Sequence, residues 1–374
     1  MENRHERVRR GAWREAAALL AAVLGLFLID AVIFRTRLYF PYLEPDATAG
    51  NLEMICYLET HRKPAGGKQV VALGDSRLAL TPQLANQAGA GRGYEFANVG
   101  VAGSSPRVWY YMLRDLDPEA RRYAAVLLPV DDYDDEDRSQ QPADEIADLH
   151  YAIARLRLAD VLEFSFSFPS WQRKWQALRG SLFKGVVYQA DLHAFLLDPS
   201  GRRSRVAQSR LHAAAWRRDF LPPASDVTGL AIDWAAWKIT FPPDTPPALR
   251  DTLRSVLMRP VDPQTGRLAV YRRKWFGKIM ERYRGTATRV VFYRLPRAPI
   301  PRPDSLVTKL SSSIREFRSR PNVLLLDEHT FDSLERPEFF QDALHLNREG
   351  AARFSKLMAE RLPEALASPP GANL

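Results

Sequence analysis

Two short segments far apart in the sequence carry side chains that could do nucleophilic chemistry. The first is Gly74-Asp75-Ser76-Arg77, which directly follows a β-rich apolar run. A serine just past the carboxyl end of a strand, at the start of a helix, has a backbone N–H and a helix dipole that stabilise a developing oxyanion. Gly-Asp-Ser is also common in turns and helix N-caps. The tripeptide therefore indicates catalysis only if a base elsewhere in the chain can activate the serine.

The second segment runs from Asp342 to His345 and precedes an amphipathic helix predicted over Arg348–Leu362. Histidine is the base best matched to neutral pH, and a carboxylate must fix its tautomer and stabilise the imidazolium. We therefore predict Ser76 as nucleophile, His345 as base and Asp342 as its carboxylate, with Ser76 within hydrogen-bond reach of His345. His329, in the polar segment Asp327-Glu328-His329, is the alternative base.

An alternation of strands and helices must position these residues. Five mostly apolar, β-rich runs are bounded by turn residues: Gln69–Leu73, Glu95–Val99, Ala124–Val130, Arg289–Leu295 and Asn322–Leu326. Such runs are typical of strands buried on both faces of a parallel sheet. Helical segments, for example Leu306–Arg318, lie between several of them. The alternation predicts an α/β fold with a doubly wound parallel sheet.

One interval, residues 131–285, is far longer than an ordinary connection and must carry structure of its own. It predicts an inserted cap or subdomain over the carboxyl edge of the sheet, where loops frame active sites. It is rich in tryptophan: Trp171, Trp175, Trp216, Trp234, Trp237 and Trp275. These rings suit either the core of the insertion or an aromatic groove for sugars.

The order and topology of the two segments resemble the SGNH hydrolase superfamily, also called GDSL esterases. The resemblance implies a three-layer α/β/α, flavodoxin-like catalytic domain made of residues 69–130 and 286–365, ahead of a tail over residues 366–374. The segment from Asn98 to Ser104 looks like the second block of that family, which implies that the N–H groups of Gly103 and Ser76 form the oxyanion hole. Arg77, Asn98 and Asp131 lie within or beside these segments and are candidate substrate-binding residues.

The third block of the family is not matched. It usually places an asparagine after the third strand as a further oxyanion donor, whereas here Ala124–Val130 leads into the acidic run Asp131–Asp137. An ionised carboxylate repels an oxyanion, and loss of one donor typically costs about two to three orders of magnitude in rate. The run could bind Ca²⁺ or Mg²⁺, but it lacks the glycine and spacing of an EF-hand loop. We predict a solvated acidic loop, no metal and no cofactor.

The N-terminal region contains an apolar run, Ala16–Phe34, that is long enough to cross a bilayer. Five arginines precede it and place the N-terminus in the cytoplasm: Arg4, Arg7, Arg9, Arg10 and Arg14. A cleaved signal peptide and a buried core helix are the alternatives. The run is longer than the apolar h-region of a typical signal peptide, and no small-residue cleavage site follows. We predict a cytoplasmic tail (residues 1–15), a transmembrane signal anchor (residues 16–34) and a linker with a short helix (residues 35–68).

Composition sets further limits. The 374 residues carry a net charge of +9, which suits an acidic polymer or a membrane surface. No RNP, zinc-finger or helix-turn-helix signature supports nucleic acid as a partner. Cys56 is the single cysteine, so an intramolecular disulfide is excluded. Tyr39, Phe40 and Tyr42, which follow the apolar run, suit an interfacial aromatic belt.

A serine nucleophile behind a membrane anchor resembles the DltD-type and alginate-acetylation-type branch of the superfamily. That resemblance implies O-acylation, with acetyl as the expected group, of an exported polysaccharide or envelope glycan. It also implies a periplasmic domain at the inner membrane and a multi-pass membrane protein as acyl donor. Two alternatives stay open: a carbohydrate or lipid esterase with the same residues, and a degenerate scaffold in envelope assembly.

Overall fold

Five parallel strands form the sheet that carries the predicted site. The computed structural model describes residues 2–45, 48–131, 133, 144–219, 231–233, 236, 238–248, 250, 251, 254, 267–298, 313–341 and 344–367. In chain order its strands are β1 (Lys68–Ala72), β2 (Tyr94–Asn98), β3 (Ala125–Val130), β4 (Ala231–Asp233), β5 (Lys238–Thr240), β6 (Arg289–Arg294) and β7 (Val323–Leu325). All five predicted strands are confirmed, with ends shifted by no more than one residue.

Twelve described helices accompany the strands. They are α1 (Glu2–Asp30), α2 (Thr48–Thr60), α3 (Pro82–Ala88), α4 (Pro106–Leu116), α5 (Asp144–Arg155), α6 (Val161–Phe166), α7 (Trp171–Leu182), α8 (Gln189–Leu197), α9 (Arg202–Asp219), α10 (Arg267–Arg282), α11 (Ser313–Glu316) and α12 (Arg348–Ala367). The predicted final helix is confirmed as α12. Of the helix predicted over Leu306–Arg318, only the part from Ser313 onward lies within the described residues.

The strand order places a topological switch point between β1 and β3. The sheet runs β2-β1-β3-β6-β7, and all four pairings are parallel. Chain connections leave β1 and β3 in opposite directions, and in such sheets ligands bind outside the carboxyl ends of the strands at this reversal. Ser76 follows β1 and Asp131 follows β3. Both residues therefore lie at the position where the topology opens a site.

Helices cover both faces of the sheet, as the continuous apolar strands require. On one face Val70 of β1 and Tyr293 of β6 belong to a buried cluster with Phe354 of α12. On the other face the ring of Phe292 lies 5.1 Å from that of Phe276 in α10. The α/β class and the parallel five-stranded sheet are thus confirmed. β4 and β5 form a separate antiparallel pair.

The chain divides into two compact units. The sheet unit comprises Met54–Asp148 and His212–Leu374, and the helical unit comprises Met1–Glu53 and Leu149–Leu211. The predicted insertion, residues 131–285, is divided between them: residues 149–211 belong with the N-terminal segment, whereas α10 belongs with the sheet. The domain boundaries drawn from sequence stay a prediction.

One helix among the described residues is long and apolar enough to cross a membrane. It spans Gly11–Arg35, within which an 18-residue window has a mean hydropathy of 2.6, and it comprises most of α1 and the π-helical turn Ala31–Arg35 that continues it. The carboxylate of Asp30, the one acidic residue in the predicted span, accepts hydrogen bonds from the backbone N–H groups of Lys184 (2.9 Å) and Gly185 (2.6 Å). The end of α1 is therefore fixed to the segment that follows α7.

The aromatic belt predicted after α1 is wrong for Tyr39. Its side chain is only 7% exposed, and its hydroxyl donates to the carboxylate of Asp191. Asp191 also accepts from the backbone N–H of Glu44 (3.1 Å) and from Arg202 (2.6 Å). Because these partners satisfy the buried charges, Tyr39 packs inside the helical unit and is withdrawn from the surface.

Candidate active site

Ser76 lies in a turn immediately after β1. The Leu78 N–H donates to the Asp75 carbonyl (3.2 Å), and the Ser76 side chain points into solvent. A Cβ on Gly74 would approach the Leu78 side chain to 2.9 Å, so the turn requires glycine there. The expectation that Ser76 begins a helix is wrong, because the next helix starts at Pro82. Electrostatic stabilisation of an oxyanion at Ser76 must therefore come from nearby backbone N–H groups and not from a helix dipole.

His345 is held by a tightly bonded loop that leads into α12. The Gln341 N–H donates to the His345 carbonyl (3.0 Å), and the Asn347 N–H donates to the Phe339 carbonyl (2.8 Å). The Asn347 side chain accepts from the N–H of Gly350 (3.0 Å) and donates to a carbonyl of the preceding turn (2.7 Å). These bonds cap the helix and fix the position of the imidazole next to it.

The two predicted catalytic side chains meet. Ser76 Oγ lies 2.9 Å from His345 Nε2, although 269 positions separate the residues. This is the distance at which an imidazole can take the proton of an attacking hydroxyl. The third predicted member, Asp342, lies outside the described residues, and its pairing with His345 stays a prediction.

The other candidate base is engaged elsewhere. His329 is exposed, and its Nδ1 lies 2.7 Å from a carboxylate oxygen of Asp332. That hydrogen bond raises the pKa of His329 above its ordinary value. Asp332 in turn pairs with Arg294 of β6. Of the two histidines, His345 is the one that contacts Ser76.

The loop after β2 is bonded directly to the serine turn. The Gly74 carbonyl accepts from the N–H of Val101 (2.9 Å) and from Ser104 Oγ (3.1 Å). Gly103 lies between these two donors with φ +69°, a left-handed conformation that favours glycine. The proposed oxyanion donor thus occupies a turn that is fixed to the backbone of the nucleophile loop.

A compact charge cluster lies beside Ser76. The Arg77 guanidinium forms hydrogen bonds with both carboxylate oxygens of Asp75, at 2.7 to 3.1 Å, and pairs with the carboxylate of Asp131. All three side chains are largely buried. Arg77 offsets part of the negative charge of Asp131, but one guanidinium against two carboxylates leaves a formal net charge of −1 beside Ser76.

The three predicted substrate-binding residues all have partners within the protein. Arg77 and Asp131 pair with each other, as described above. The Asn98 side chain donates to the Leu80 carbonyl (2.7 Å) and accepts from the Gly100 N–H (2.8 Å). Each residue thus shapes a loop at the site, and a contact with substrate stays a prediction for all three.

Sequence reasoning missed Arg217 near the end of α9. Its guanidinium donates to the carbonyls of Asn98 (3.2 Å) and Gly100 (3.0 Å), which belong to the loop that carries Gly103. Burial lowers the pKa of Arg217 to about 10. No local pattern identified this residue, because one arginine among the many in α9 has no distinguishing spacing.

A second buried cluster at the start of α4 was also missed. Asp148 accepts from Ser105 Oγ (2.5 Å) and Tyr271 Oη (3.0 Å) and pairs with Arg107 (3.3 Å). Burial raises the pKa of Asp148, against the opposing effect of Arg107. Because these residues are buried, the cluster stabilises the helix that follows the Gly103 loop.

Comparisons with known proteins give no assignment. No protein-family model matches the chain, and no curated protein matches it significantly. Among the described residues, no group of three or more histidine, cysteine or acidic side chains could hold a metal ion. Of the predicted acidic loop, only Asp131 and the intervening Tyr133 are described. The chemistry of the site therefore rests on Ser76, His345 and the loops around them.

Proposed function

We propose that this protein is a membrane-anchored, extracytoplasmic serine O-acyltransferase of the SGNH type, acting on an exported polysaccharide or envelope glycan. The observation that carries the proposal is the 2.9 Å approach of Ser76 Oγ to His345 Nε2 at the carboxyl edge of the sheet. Support for the anchor comes from α1, and support for an acidic acceptor comes from the net charge of +9.

The proposed first half-reaction acylates the enzyme. Ser76 Oγ attacks the acyl carbonyl of the donor while His345 Nε2 takes its proton. The N–H groups of Ser76 and Gly103 stabilise the oxyanion of the tetrahedral intermediate. Collapse breaks the bond to the donor, whose leaving oxygen or sulfur receives the proton from His345. Asp342 is proposed to stabilise the imidazolium.

The second half-reaction transfers the acyl group. An acceptor hydroxyl of the glycan attacks the acyl-serine ester while His345 takes the hydroxyl proton. Collapse returns that proton to Ser76 Oγ and releases the acylated sugar. With water as acceptor the same steps give an esterase, so the identity of the acceptor separates the two functions.

The test is acyl-enzyme formation by the full chain in detergent, with p-nitrophenyl acetate as donor. We expect an acetyl adduct on Ser76 by intact-mass spectrometry, discharged faster by a soluble acidic glycan than by water. Ser76→Ala and His345→Gln are expected to lower turnover by about four to six orders of magnitude. Ser333→Ala and His329→Gln, at exposed positions, are the matched controls.

Each outcome has a distinct meaning. Discharge by water alone identifies an esterase. An adduct that survives Ser76→Ala, or turnover lost in His329→Gln and kept in His345→Gln, contradicts the assigned residues. A folded protein with neither adduct nor turnover, with acetyl or with longer acyl donors, favours the scaffold.

A further inference from the structure

The helical unit exposes a contiguous row of large apolar side chains. Leu158, Leu162 and Phe166 are spaced four residues apart along α6 and the turn before it, and Leu162 is 65% exposed. Trp171 and Trp175 are likewise four apart in α7, and both are more than half exposed. Residues spaced four apart lie on one side of a helix. We refer to these five residues as the α6–α7 apolar surface.

Lys174 joins the two rows. Its Nζ lies 6.0 Å from the centroid of the Phe166 ring, within the range of a cation–π contact. In α7 it occupies the side that also carries Trp171 and Trp175. The surface is therefore continuous from α6 to α7, and a cation lies within it.

The carboxyl end of α7 is attached to the end of the apolar helix α1. Arg35 donates to the carbonyls of Ser181 (2.5 Å) and Leu182 (3.2 Å), the last residues of α7. The ring of Phe183 lies 6.1 Å from that of Phe27 in an edge-to-face arrangement. Together with the Asp30 contacts, these interactions place the end of α7 level with the last turns of the span. Trp175 lies seven residues before Leu182, about 10 Å along the helix.

The composition around this surface is that of a membrane interface. Between residues 157 and 179 the chain carries four basic residues and two acidic ones. Tryptophan is enriched where lipid and water meet, and long basic side chains reach anionic headgroups from beside a lipid-covered face. A contiguous exposed apolar surface on a soluble protein is rare unless it is an interaction site.

We propose that the α6–α7 apolar surface inserts into the bilayer surface at the carboxyl end of α1. Lipid covers this surface. The helical unit is therefore held at the membrane both by α1 and by partial insertion into the membrane–water interface. This inference rests on the membrane anchor of the proposed function and adds a second, independent site of lipid contact.

The experiment places a nitroxide at three positions of the full chain, one at a time, in a Cys56→Ala background. Leu162→Cys reports on the proposed surface, and Leu20→Cys, 70% exposed in α1, reports on the anchor. Val270→Cys, in α10 of the sheet unit, is the matched control because its exposure of 63% equals that of Leu162 within two percentage points. Each protein is reconstituted in vesicles of phosphatidylethanolamine and phosphatidylglycerol. Collisions with oxygen and with a water-soluble nickel chelate are then measured.

We expect the labels at positions 20 and 162 to collide with oxygen and to be shielded from nickel, and the label at 270 to show the reverse. Lipid contact at 20 with water contact at 162 overturns the inference and leaves the anchor intact. Water contact at 20 overturns the anchor, and the inference with it. Shielding of 162 from both reagents indicates a protein contact, such as a second copy, and also overturns the inference.

A second variant tests the contribution of the tryptophans. Trp171→Ser combined with Trp175→Ser, in the Leu162→Cys chain, is expected to abolish the oxygen contact at 162 while α1 keeps the protein in the vesicle. Val270→Ser in the same chain is the control and is expected to leave that contact unchanged. Retention of the oxygen contact in the double variant would show that the tryptophans do not hold α6 in lipid.

Discussion

The two units of the chain differ in the side chains that they expose rather than in those that they bury. Both bury paired charges: Arg107 with Asp148 in the sheet unit, and Arg202 with Asp191 in the helical unit. The large apolar side chains that are exposed lie mostly in the helical unit, where Trp171 is 73% exposed. The polarity of exposed side chains reflects the surroundings of a protein surface, and a large exposed apolar surface indicates an interaction site. This contrast is the pattern that the proposed insertion of the helical unit into lipid requires.

The largest expected effect tests the buried charges of the sheet unit. Arg77→Met leaves the carboxylates of Asp75 and Asp131 without the guanidinium that pairs with both. We expect the free energy of unfolding to fall by about 3–5 kcal/mol, because one partner of a buried ion pair is removed. Urea unfolding of the full chain in detergent, followed by near-ultraviolet circular dichroism, measures the change.

The control for this prediction is Arg353→Met. Arg353 pairs with Glu349 on the exposed side of α12, where the loss should be below about 1 kcal/mol. Equal losses in the two variants would contradict a structural role for the Arg77 cluster. A stable Arg77→Met protein with a raised KM would instead support the predicted contact between Arg77 and substrate.

The next effect tests the buried charge of the helical unit. Asp30→Leu removes two hydrogen bonds to a carboxylate and makes α1 more apolar. We expect the amides of Lys184 and Gly185 to exchange about one to two orders of magnitude faster, since such bonds contribute about 1.5–3 kcal/mol. Hydrogen–deuterium exchange of the full chain in nanodiscs measures this.

Asp198→Leu serves as the comparison, because Asp198 is an exposed carboxylate of the same unit paired with Arg205. Its replacement should leave exchange at residues 184 and 185 unchanged. If Asp30→Leu also left exchange unchanged, the hydrogen bonds of Asp30 would not hold the segment that follows α7, and Asp30 would be an ordinary polar residue of the span.

A smaller effect concerns the loop that carries the proposed oxyanion donor. Gly103→Ala forces a side chain into a left-handed conformation at a cost of about 1–2 kcal/mol, although its Cβ would meet no atom within 4 Å. We expect reduced stability and a reduced kcat. The matched substitution Gly277→Ala, in the middle of α10 and also without a nearby atom, should raise stability by about 0.5–1 kcal/mol. Thermal unfolding that shifts in the same direction for both variants would contradict this assignment.

The smallest effect is a pH dependence at the exposed edge of the sheet unit. The pKa of His329 is raised, mainly by its hydrogen bond to Asp332. The folded protein therefore holds this proton more tightly than the unfolded chain, whose histidine titrates near about 6.5. The small stabilisation is complete below that value and is lost as the pH rises through the folded pKa. NMR titration of the imidazole should show a pKa that falls in Asp332→Asn, and an unchanged pKa would contradict the assigned cause.

The sheet and the central contact of the site could be predicted from sequence because their signals are local. Buried parallel strands appear in the sequence as apolar runs. The Ser76 motif follows such a run, and the His345 motif precedes an amphipathic helix. The pairs Arg77–Asp131 and Arg217–Gly100 could not be predicted, because each joins residues far apart in sequence without a periodic pattern.

The α6–α7 apolar surface could not be predicted from the sequence for a different reason. Trp171 and Trp175 have the spacing of a helix face, and that spacing is the same whether the face meets a protein core or a bilayer. The expectation that Ser76 begins a helix was also wrong, since the next helix starts only at Pro82. Only the packing of the chain distinguishes these cases.

The π-helical turn Ala31–Arg35 has a mechanical consequence. In a regular α-helix two residues five apart point about 140° away from each other, whereas a π turn closes after about five residues and brings them to one side. Asp30 and Arg35 thus both contact the short stretch from Ser181 to Gly185. Two attachments on the same side prevent α1 from rotating about its own axis relative to the segment after α7, so the apolar helix and this part of the helical unit have one fixed rotational orientation.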